Sequence, residues 1–543
     1  MKRGVLVVLA AAQFLMVLDQ AVMNVAISQL VADFHTTVTT IQAVIALYAL
    51  VMAALMLTGG KLGDLLGRRR AFRIGCCIYA LGSALTAASW SVASLTIGWS
   101  ILEGIGAALV MPAMVALVAS SFEGQQRAVA YGVLGGVAGA GIAVGPILGG
   151  WATTELSWRV VFAGEVVVAM GILAGTRMIA EPPRTGAKGR LDWVGGVLSA
   201  LSLGLLVMGV LQASNWGWLH PHNSPIEPLG FSLTPFVIGA GALLLWAFVS
   251  WERRVEARGG DPLLHLRLLG FPTLRSGLWT MLAQNMILMG IFFTVPLFLQ
   301  IVQGLDALET GVRMLPASVG LFGSALAGSW LARRVPPKPL VRIGLVIIFV
   351  ATLLLLGTIE PELDNASFLV AMGVLGIGMG LVVSQLGNVV QSAVDDSDRS
   401  EAGGLQFTAQ QLGSSLGTAF LGAVVITGLI AAFSAKVAAD PKISAGINQQ
   451  VEQRLAAGTS FVAASQVRKS AETAGIDKAS TDELVHHYED AQLEALKLAL
   501  LLAAGLVLAS FPATRRLPTR RFDELEDEKA AAPHRGAAPL APA

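Results

Sequence analysis

Fourteen apolar stretches, each long enough to cross a bilayer, constrain this chain more than any other feature of its sequence. A transmembrane helix needs about 20 apolar residues to cross a hydrocarbon core of about 30 Å. Charged residues make up only 13% of the chain, about half their share in a soluble domain. We therefore predict an all-α integral membrane protein with fourteen transmembrane helices. They lie at about 4–30, 39–60, 70–90, 92–120, 125–152, 158–178, 192–212, 231–251, 275–303, 309–331, 340–358, 366–393, 402–434 and 491–512.

Lysines and arginines between these stretches predict how the chain is oriented, because cytoplasmic loops are enriched in both residues. If the N-terminus is cytoplasmic, the outer loops at 31–38, 213–230, 304–308 and 359–366 contain neither. The predicted inner loops and tail then hold Lys61, Arg68, Arg69, Arg70, Arg127, Arg184, Lys188, Arg190, Arg253, Arg254, Arg258, Arg267, Arg333, Arg334, Lys338, Arg399, Arg515, Arg516, Arg520 and Arg521. We predict a multi-pass protein of a bacterial cytoplasmic membrane with both termini inside.

Three further features argue against a cleaved signal peptide, against nucleic-acid binding, and against a disulfide or metal site. The first apolar run, about 27 residues, is longer than the core of a cleaved signal peptide, so we expect it to be retained as the first helix. A formal net charge of +1 does not indicate electrostatic binding to nucleic acid. Cys76 and Cys77 are adjacent in an apolar stretch, which favours packing over a disulfide or a metal site.

The stretch 435–490 is too polar to span a membrane and too long for a turn. Its amphipathic segments at 446–456 and 464–474 predict a helical hairpin on the outer surface. The alternative is a role in gating or in passing substrate to the outer leaflet. The tail from 516 ends in an acidic run followed by alanine and proline, which predicts disorder.

A short glycine-rich connection, GKLGDLLGRRR at 60–70, joins the second and third stretches. Its glycines permit a tight turn, and its cations hold it at the inner face. By itself this pattern predicts a topological anchor in which Asp64 pairs with a basic residue or caps a helix. The segment resembles the signature loop of the major facilitator superfamily, although Leu65 stands where a basic residue is usual. That resemblance implies a cytoplasmic gate containing Gly60, Asp64, Gly67, Arg68 and Arg69.

Glycines recur along the fifth stretch at every fourth position. Gly141, Gly145 and Gly149 expose bare backbone on one helix face, which permits a close helix crossing. Pro146 frees a backbone carbonyl and favours a bend. The spacing alone predicts only packing. The run at 145–150 also resembles the motif associated with antiporters in the same superfamily, which implies export through a helix containing Gly141, Gly145, Pro146, Gly149 and Gly150.

Asp19 lies in the middle of the first stretch. A carboxylate at that depth costs about 2.5–3.5 kcal/mol on insertion scales, so it must face a cavity or a partner. It can lower this cost by taking up a proton, or it can be a purely structural hydrogen-bonding group. The segment at 18–26 resembles the first-helix signature of the fourteen-helix drug:proton antiporter family, which implies that Asp19 is a proton or cation site.

Two further acids lie in predicted helices of the N-terminal half. Glu103 and Glu165 stand where that family usually has glutamine and asparagine, and Ser100 replaces its usual arginine. No basic residue lies at a matching depth, so three ionised acids are untenable together. We predict Asp19, Glu103 and Glu165 as proton-coupling groups that also suit cationic compounds. For Glu103 the alternative is a hydrogen bond to a neighbouring helix.

The C-terminal half carries polar amides rather than acids in its predicted helices. Methionine and phenylalanine can adapt to varied ligands, although each is individually more typical of plain packing. We predict a substrate-lining set that combines both kinds of side chain: Met16, Met23, Asn24, Gln284, Phe292, Phe293, Gln385, Asn388 and Phe407.

The resemblance extends over about residues 5–515 and implies an architecture. Two six-helix bundles, at 1–180 and 271–515, would be related by a pseudo-two-fold axis along the membrane normal. An inserted two-helix hairpin with its linkers would occupy 181–270, and the disordered tail 516–543. The implied function is proton-coupled antiport of small hydrophobic or cationic compounds by a monomer in the lipid bilayer, with no cofactor and no metal.

Three alternatives stay open at this point. The same fold could export a lipid or a metabolite of the producing cell. It could also import or facilitate, which the run at 145–150 disfavours. A membrane enzyme or receptor is the third, but the chain contains no nucleophile–base cluster, no metal-ligand spacing and no phosphate-binding loop.

Overall fold

The computed structural model describes residues 3–122, 124–181, 191–221, 224–332, 334–394, 398–456 and 461–521. Within these ranges the regular structure is helical and no β-strand occurs. The α-helices are α1 Arg3–Val25, α2 Ile27–Asp33, α3 Val38–Leu66, α4 Arg68–Ala87, α5 Val92–Leu95, α6 Gly104–Ser121, α7 Gly124–Glu155, α8 Trp158–Gly175, α9 Trp193–Trp216, α10 Thr234–Ala257, α11 Pro272–Leu297, α12 Ala307–Leu331, α13 Pro337–Thr358, α14 Asn365–Ser392, α15 Arg399–Ala439, α16 Ala445–Ala456, α17 Ala464–Thr473 and α18 Lys478–Ser510.

Twelve helical segments in the described part of the chain are long and apolar enough to cross a membrane. They are Arg3–Val25, Val38–Leu66, Val92–Val118, Val133–Glu155, Trp158–Met178, Trp193–Ala213, Thr234–Ala257, Pro272–Val302, Pro337–Thr358, Asn365–Ser392, Glu401–Ala439 and Lys478–Arg516. The protein is therefore a multi-pass, all-helical membrane protein. The predicted fourteen spans also include α4 and α12, which are helical but are not among these twelve.

Two groups of helices build the molecule. Helices α1 to α8 pack largely on one another, and so do α11 to α18. The two groups meet along α3 with α15 and along α7 with α12. Helices α9 and α10 pack on each other, and α9 also contacts α3 and α15. This pair of helices therefore touches both groups where they meet.

The first predicted span, at 4–30, is interrupted in the structure, which corrects that prediction. The helix ends at Val25 and resumes at Ile27, with Ala26 between them at φ −88° and ψ 1°. The side chain of Gln300 bridges the break. Its amide nitrogen donates to the carbonyl of Val25 at 2.8 Å, and its oxygen accepts from the backbone N–H of Ser28 at 3.2 Å. This contact joins residues from the two helix groups.

Two spans contain wide, π-helical turns. One at Thr96–Glu103 joins α5 to α6, and the other at Phe298–Val302 follows α11. Such turns are rare and are concentrated at functional sites. The first segment is attached to α3, because the hydroxyl of Ser100 donates to the carbonyl of Val44 at 2.8 Å.

The predicted loop 435–490 is shorter in the structure than in the prediction. Helix α15 continues to Ala439 and α18 begins at Lys478, earlier than the predicted start at 491. The polar side chains explain the difference: Lys436 of α15 pairs with Glu494 of α18 at 2.9 Å, so the two helices stay paired beyond their apolar parts. Between them lie α16 and α17, close to the two predicted amphipathic segments. Of the tail predicted to be disordered, 516–543, residues 522–543 lie outside the described ranges. Residues 516–521 are described, and the carbonyl of Pro518 accepts from the backbone N–H of Lys338 at 3.1 Å.

A connecting segment at 258–271 follows α10 and touches both helix groups at one end of the molecule. Asp261 forms an ion pair with Lys61 of α3. Four residues later, the ring nitrogen Nδ1 of His265 lies 2.9 Å from Glu401 of α15. The buried carboxylate of Glu252 in α10 accepts from the backbone N–H of Leu264 at 2.9 Å and holds the segment against α10. The segment therefore connects the ends of α3 and α15.

Candidate functional site

The three predicted acids meet inside the first helix group. Asp19 comes from α1, Glu103 from the end of the π-helical segment, and Glu165 from α8 two turns after its first residue. One carboxylate oxygen from each lies within 4.8 Å of the others. All three side chains are buried, with at most 2% of each residue exposed. Residues separated by up to 146 positions thus form one cluster, which we call the acid cluster.

Close helix packing places Glu103 beside α4. Gly82 of α4 and Gly98 of the π-helical segment lie face to face, and a Cβ on Gly82 would come within 2.7 Å of the carbonyl oxygen of Gly98. This approach sets the hydroxyl of Thr86 at 3.1 Å from Glu103. Glycine at both positions therefore permits the contact.

Neutral donors surround the acid cluster. The indole N–H of Trp99 donates to Oδ1 of Asp19 at 2.7 Å. The hydroxyls of Tyr79 and Ser83, both on α4, lie 3.2 and 3.4 Å from Oε2 of Glu165. Among the described residues no lysine, arginine or histidine is buried. The cluster is therefore stabilised by hydrogen bonds and not by ion pairs.

Each acid keeps one oxygen without a partner among the described residues: Oδ2 of Asp19, Oε2 of Glu103 and Oε1 of Glu165. Two ionised carboxylates at 4.8 Å repel by about 3 kcal/mol at an effective dielectric constant of about 20. A proton removes this repulsion and supplies a donor for one of the free oxygens. The same oxygen spacing could also surround a metal ion. The geometry thus suits reversible binding of protons or of a cation.

A small cavity separates the two helix groups next to the acid cluster. Its volume is about 20 Å³, room for about one water molecule. The residues that line it are Gln20, Asn24, Ile45, Tyr48, Ala49, Trp99, Met289, Ser414 and Thr418. In the part of the chain that the structure describes, this cavity is therefore too small for a drug-sized ligand in this conformation.

Of the predicted substrate-lining residues, only Asn24 lines this cavity. The other eight do not: Met16, Met23, Gln284, Phe292, Phe293 and Gln385 are buried elsewhere, Phe407 is half-buried and Asn388 is exposed. Gln385 donates to the carbonyl of Gly328 at 3.0 Å and so links α14 to α12. A lining role for these eight residues stays a prediction.

Sequence reasoning missed Trp99, Tyr48 and the α4 donors. A signal for the donors was present, because Tyr79, Ser83 and Thr86 recur at helical spacing in the apolar part of α4 that follows Arg73. The stacking of Tyr48 on Trp99 has no such signal, since it joins residues of different helices. The ring centroids lie 4.4 Å apart with an interplanar angle of 9°.

The predicted gate residues lie where α3 turns into α4. Asp64 pairs with Arg68 at 3.3 Å, and Arg68 also donates to the carbonyl of Ala116 in α6 at 3.4 Å. The backbone N–H of Arg69 donates to Glu181 at 3.3 Å. A Cβ built on Gly60 would lie 3.7 Å from Pro112 of α6. These contacts join α3, α4 and α6 at one end of the first helix group.

Replacing Gly67 with alanine is expected to destabilise this turn by about 1–3 kcal/mol. Gly67 has φ 101° and ψ 134°, a conformation that side chains disfavour, and an added Cβ would press on Glu181. The thermal unfolding midpoint in detergent measures the effect. Gly60→Ala is the matched control, since its Cβ would meet Pro112 at an ordinary 3.7 Å. Equal midpoints for both variants would show that the turn carries no strain.

The glycines of α7 lie against two other helices. Gly141, Gly145 and Gly149 face Val17, Ala21 and Val22 of α1. Gly150, on another side, faces the backbone of Ala307 in α12, and the carbonyl of Pro146 touches Gly311 of α12. Helix α7 is therefore packed closely between α1 of its own group and α12 of the other.

A second group of possible metal ligands lies between α15 and α18. Oxygens of Asp440 and Glu483 and a ring nitrogen of His487 lie within 4.8 Å of one another. Each already has a partner: His487 contacts Asp440 at 2.8 Å, and Lys442 forms an ion pair with Glu483. Hydrogen bonds from the backbone N–H of Lys442 and from His487 hold the pKa of Asp440 below its usual value. This group serves to tie the polar segment together.

Comparison with known proteins gives consistent matches. The family described as Major Facilitator Superfamily matches residues 9–418. The puromycin resistance protein pur8 of Streptomyces alboniger is 33% identical over 443 residues, which cover 80% of this chain and 84% of that protein. The tetracenomycin C resistance and export protein of Streptomyces glaucescens is 31% identical over 422 residues, covering 77% and 75%. The crystal structure of a bacterial homolog of the human lysosomal transporter Spinster, inward-facing and unoccupied, superposes with a TM-score of 0.58 at 15% identity, covering 95% and 97%.

Proposed function

The chain belongs to the major facilitator superfamily of membrane transporters, and we propose that it is a proton-coupled antiporter that exports small hydrophobic or cationic compounds by alternating access. The observation that carries this proposal is the acid cluster. Its three buried carboxylates have only neutral hydrogen-bond donors around them, and among the described residues no cationic side chain is buried with them. The names of the relatives, which concern resistance to and export of antibiotics, support the direction and the substrate class.

The contacts of Thr86 give further support for protons in the acid cluster. Its hydroxyl lies 2.9 Å from the carbonyl oxygen of Gly82 and 3.1 Å from Oε1 of Glu103. A hydroxyl has one proton to donate, so it can serve only one of these two acceptors. A protonated Glu103 satisfies both contacts, because it can donate to the hydroxyl while Thr86 donates to Gly82.

We also propose that all fourteen predicted spans cross the membrane. Helices α4 and α12 contain 20 and 25 residues, which at about 1.5 Å per residue is long enough to cross a bilayer core. The arginines at the start of α4 account for its low mean hydropathy. The two groups would then be six-helix bundles at 1–180 and 271–515, with the pair at 181–270 inserted, the tail 516–543 outside the bundles and both termini in the cytoplasm. The proposed functional form is a monomer in the cytoplasmic membrane.

The proposal is tested in proteoliposomes with an acidic lumen and a neutral exterior. Antiport predicts uptake of external compounds against their gradient while protons leave the lumen, and a protonophore should stop it. The panel contains ethidium as a planar aromatic cation, puromycin, and chloramphenicol as a neutral compound. Uptake that does not depend on the imposed pH gradient for any compound would contradict proton-coupled antiport.

Export of a metabolite that the cell itself makes is the second candidate, favoured by the relative named for export of tetracenomycin C. Tetracenomycin C joins the panel for this reason. Gradient-driven uptake restricted to that compound would favour this candidate, whereas uptake of chemically unrelated compounds favours multidrug export.

Replacing Glu103 with glutamine is expected to slow ethidium uptake at least tenfold relative to chloramphenicol uptake. Glu103 lies one helical turn from Trp99, which lines the cavity, so the negative charge that Glu103 carries after releasing its proton would favour cations there. Glu165→Gln is the comparison, because Glu165 comes from α8, which contributes no residue to the cavity lining, whereas Glu103 shares the π-helical segment of Trp99. It should slow both compounds equally. Equal losses for both compounds in Glu103→Gln would assign Glu103 to coupling instead of recognition.

A further inference from the structure

Two stacked aromatic side chains form the wall between the small cavity and the acid cluster. Tyr48 of α3 and Trp99 of the π-helical segment both line the cavity, opposite Met289, Ser414 and Thr418 of the second helix group. Both side chains are 1% exposed. A ligand that enters between the helix groups at this point therefore meets the aromatic pair before it can meet an acid.

Trp99 faces both sides of this wall. Its ring lines the cavity, while its indole N–H donates to Asp19 at 2.7 Å. A hydrogen bond to an ionised carboxylate is roughly twice as strong as one to a neutral group. Any force that holds the indole in this position consequently favours the ionised form of Asp19, and loss of that position favours the protonated form.

We propose that the Tyr48–Trp99 pair couples substrate occupancy of the cavity to protonation of Asp19, with Trp99 as the positioning residue; this inference rests on the proposed antiport. A flat aromatic or cationic substrate stacks on the pair and holds Trp99 in its donating position. Asp19 then releases its proton. The coupling is reciprocal, because a proton on Asp19 weakens the indole contact and thereby weakens substrate binding.

The other titratable groups around Asp19 differ from Trp99 in their contacts. Glu103 and Glu165 belong to the acid cluster, and Tyr79 donates to Glu165. The hydroxyl of Tyr48 is buried without a partner among the described residues. Tyr48 also lines the cavity and lies beside Asp19, but among the described residues only Trp99 both lines the cavity and donates a hydrogen bond to Asp19.

Proton release on ligand binding measures the coupling directly. Purified full-length protein in weakly buffered detergent is titrated with ethidium, while a pH-sensitive dye records released protons and fluorescence anisotropy records binding. If one proton leaves per ligand, wild-type affinity changes about tenfold per pH unit. Trp99→Phe keeps a ring but removes the N–H. We expect it to release at least fivefold fewer protons per bound ethidium and to bind with an affinity that varies little with pH.

Trp158→Phe is the matched control. Trp158 is also buried, and its N–H also donates to a carboxylate at 2.9 Å, but that carboxylate belongs to Asp33, which is not part of the acid cluster. It should release as many protons as the wild type. If Trp99→Phe does not fold, Tyr48→Leu removes the stacking while leaving the indole N–H, and it should reduce proton release as well.

The outcomes are distinct. Equal proton release by the wild type and by Trp99→Phe or Tyr48→Leu overturns this inference and leaves proton-coupled antiport intact. A wild type that binds ethidium without releasing protons, or that binds no ethidium, contradicts the proposed export of aromatic cations, and this inference falls with it. Loss of release in Trp99→Phe together with normal release in Trp158→Phe supports the coupling role.

Discussion

Replacing Asp19 with asparagine is expected to lower gradient-driven uptake at least a hundredfold while leaving the protein folded. Asparagine keeps the shape of the side chain and an acceptor for the indole N–H of Trp99, but it cannot exchange a proton. An antiporter whose carrier group no longer takes up or releases a proton can still exchange substrate for substrate. The measurement compares uptake driven by an acidic lumen with exchange of labelled against unlabelled compound in proteoliposomes without a pH gradient.

Glu252→Gln provides the matched control for this change. Glu252 is another buried acid with one oxygen that has no partner among the described residues, but it lies in α10 outside the acid cluster. Its other oxygen accepts from the backbone of Leu264, a bond that glutamine can keep. We expect gradient-driven uptake to continue in this variant. Wild-type uptake in Asp19→Asn would remove Asp19 from the coupling mechanism and transfer that role to Glu103 or Glu165.

Replacing Gly145 with valine is expected to reduce transport below a tenth of the wild-type rate and to lower thermal stability. An added Cβ at Gly145 would overlap the Cβ of Ala21 in α1, so α7 must move away from that helix. Overpacking of this kind typically costs about 1–3 kcal/mol. Because α7 also contacts α12, the displacement reaches the boundary between the two groups. Uptake rates and the thermal unfolding midpoint measure both effects.

The same substitution at Gly136 tests whether position or valine itself matters. Gly136 lies on the same helix, and nothing lies within 4 Å of a Cβ built there. We expect Gly136→Val to transport and unfold like the wild type. Similar defects in the two variants would mean that α7 tolerates no β-branched residue, and the α1 crossing would then carry no special role.

Helix positions were predictable from the sequence because an apolar run of bilayer length has few other uses. The run at 366–393 corresponds to Asn365–Ser392, and the glycine periodicity in α7 corresponds to the contacts with α1. The break at Ala26 was not predictable. It is held by Gln300, which is 275 positions from Val25, and no local pattern records such a contact.

The acid cluster was predictable only in part. Burying an ionised acid costs free energy, which indicated that Asp19, Glu103 and Glu165 each need a partner or a proton. This argument treats one helix at a time. Their common location depends on how α1, α8 and the π-helical segment pack, which the sequence does not state. For the same reason the role of Trp99 was invisible: only the three-dimensional contact shows an indole between a cavity and a carboxylate.

The segment after α10 limits how far two helices can separate. Asp261 is paired with Lys61 of α3, and His265 with Glu401 of α15. Asp261 and His265 are four positions apart, so the chain between them spans at most about 14 Å when fully extended. While both pairs persist, the segment sets an upper limit on the distance between the Leu66 end of α3 and the Arg399 end of α15. Any wider opening of that end has to break one of the two pairs first.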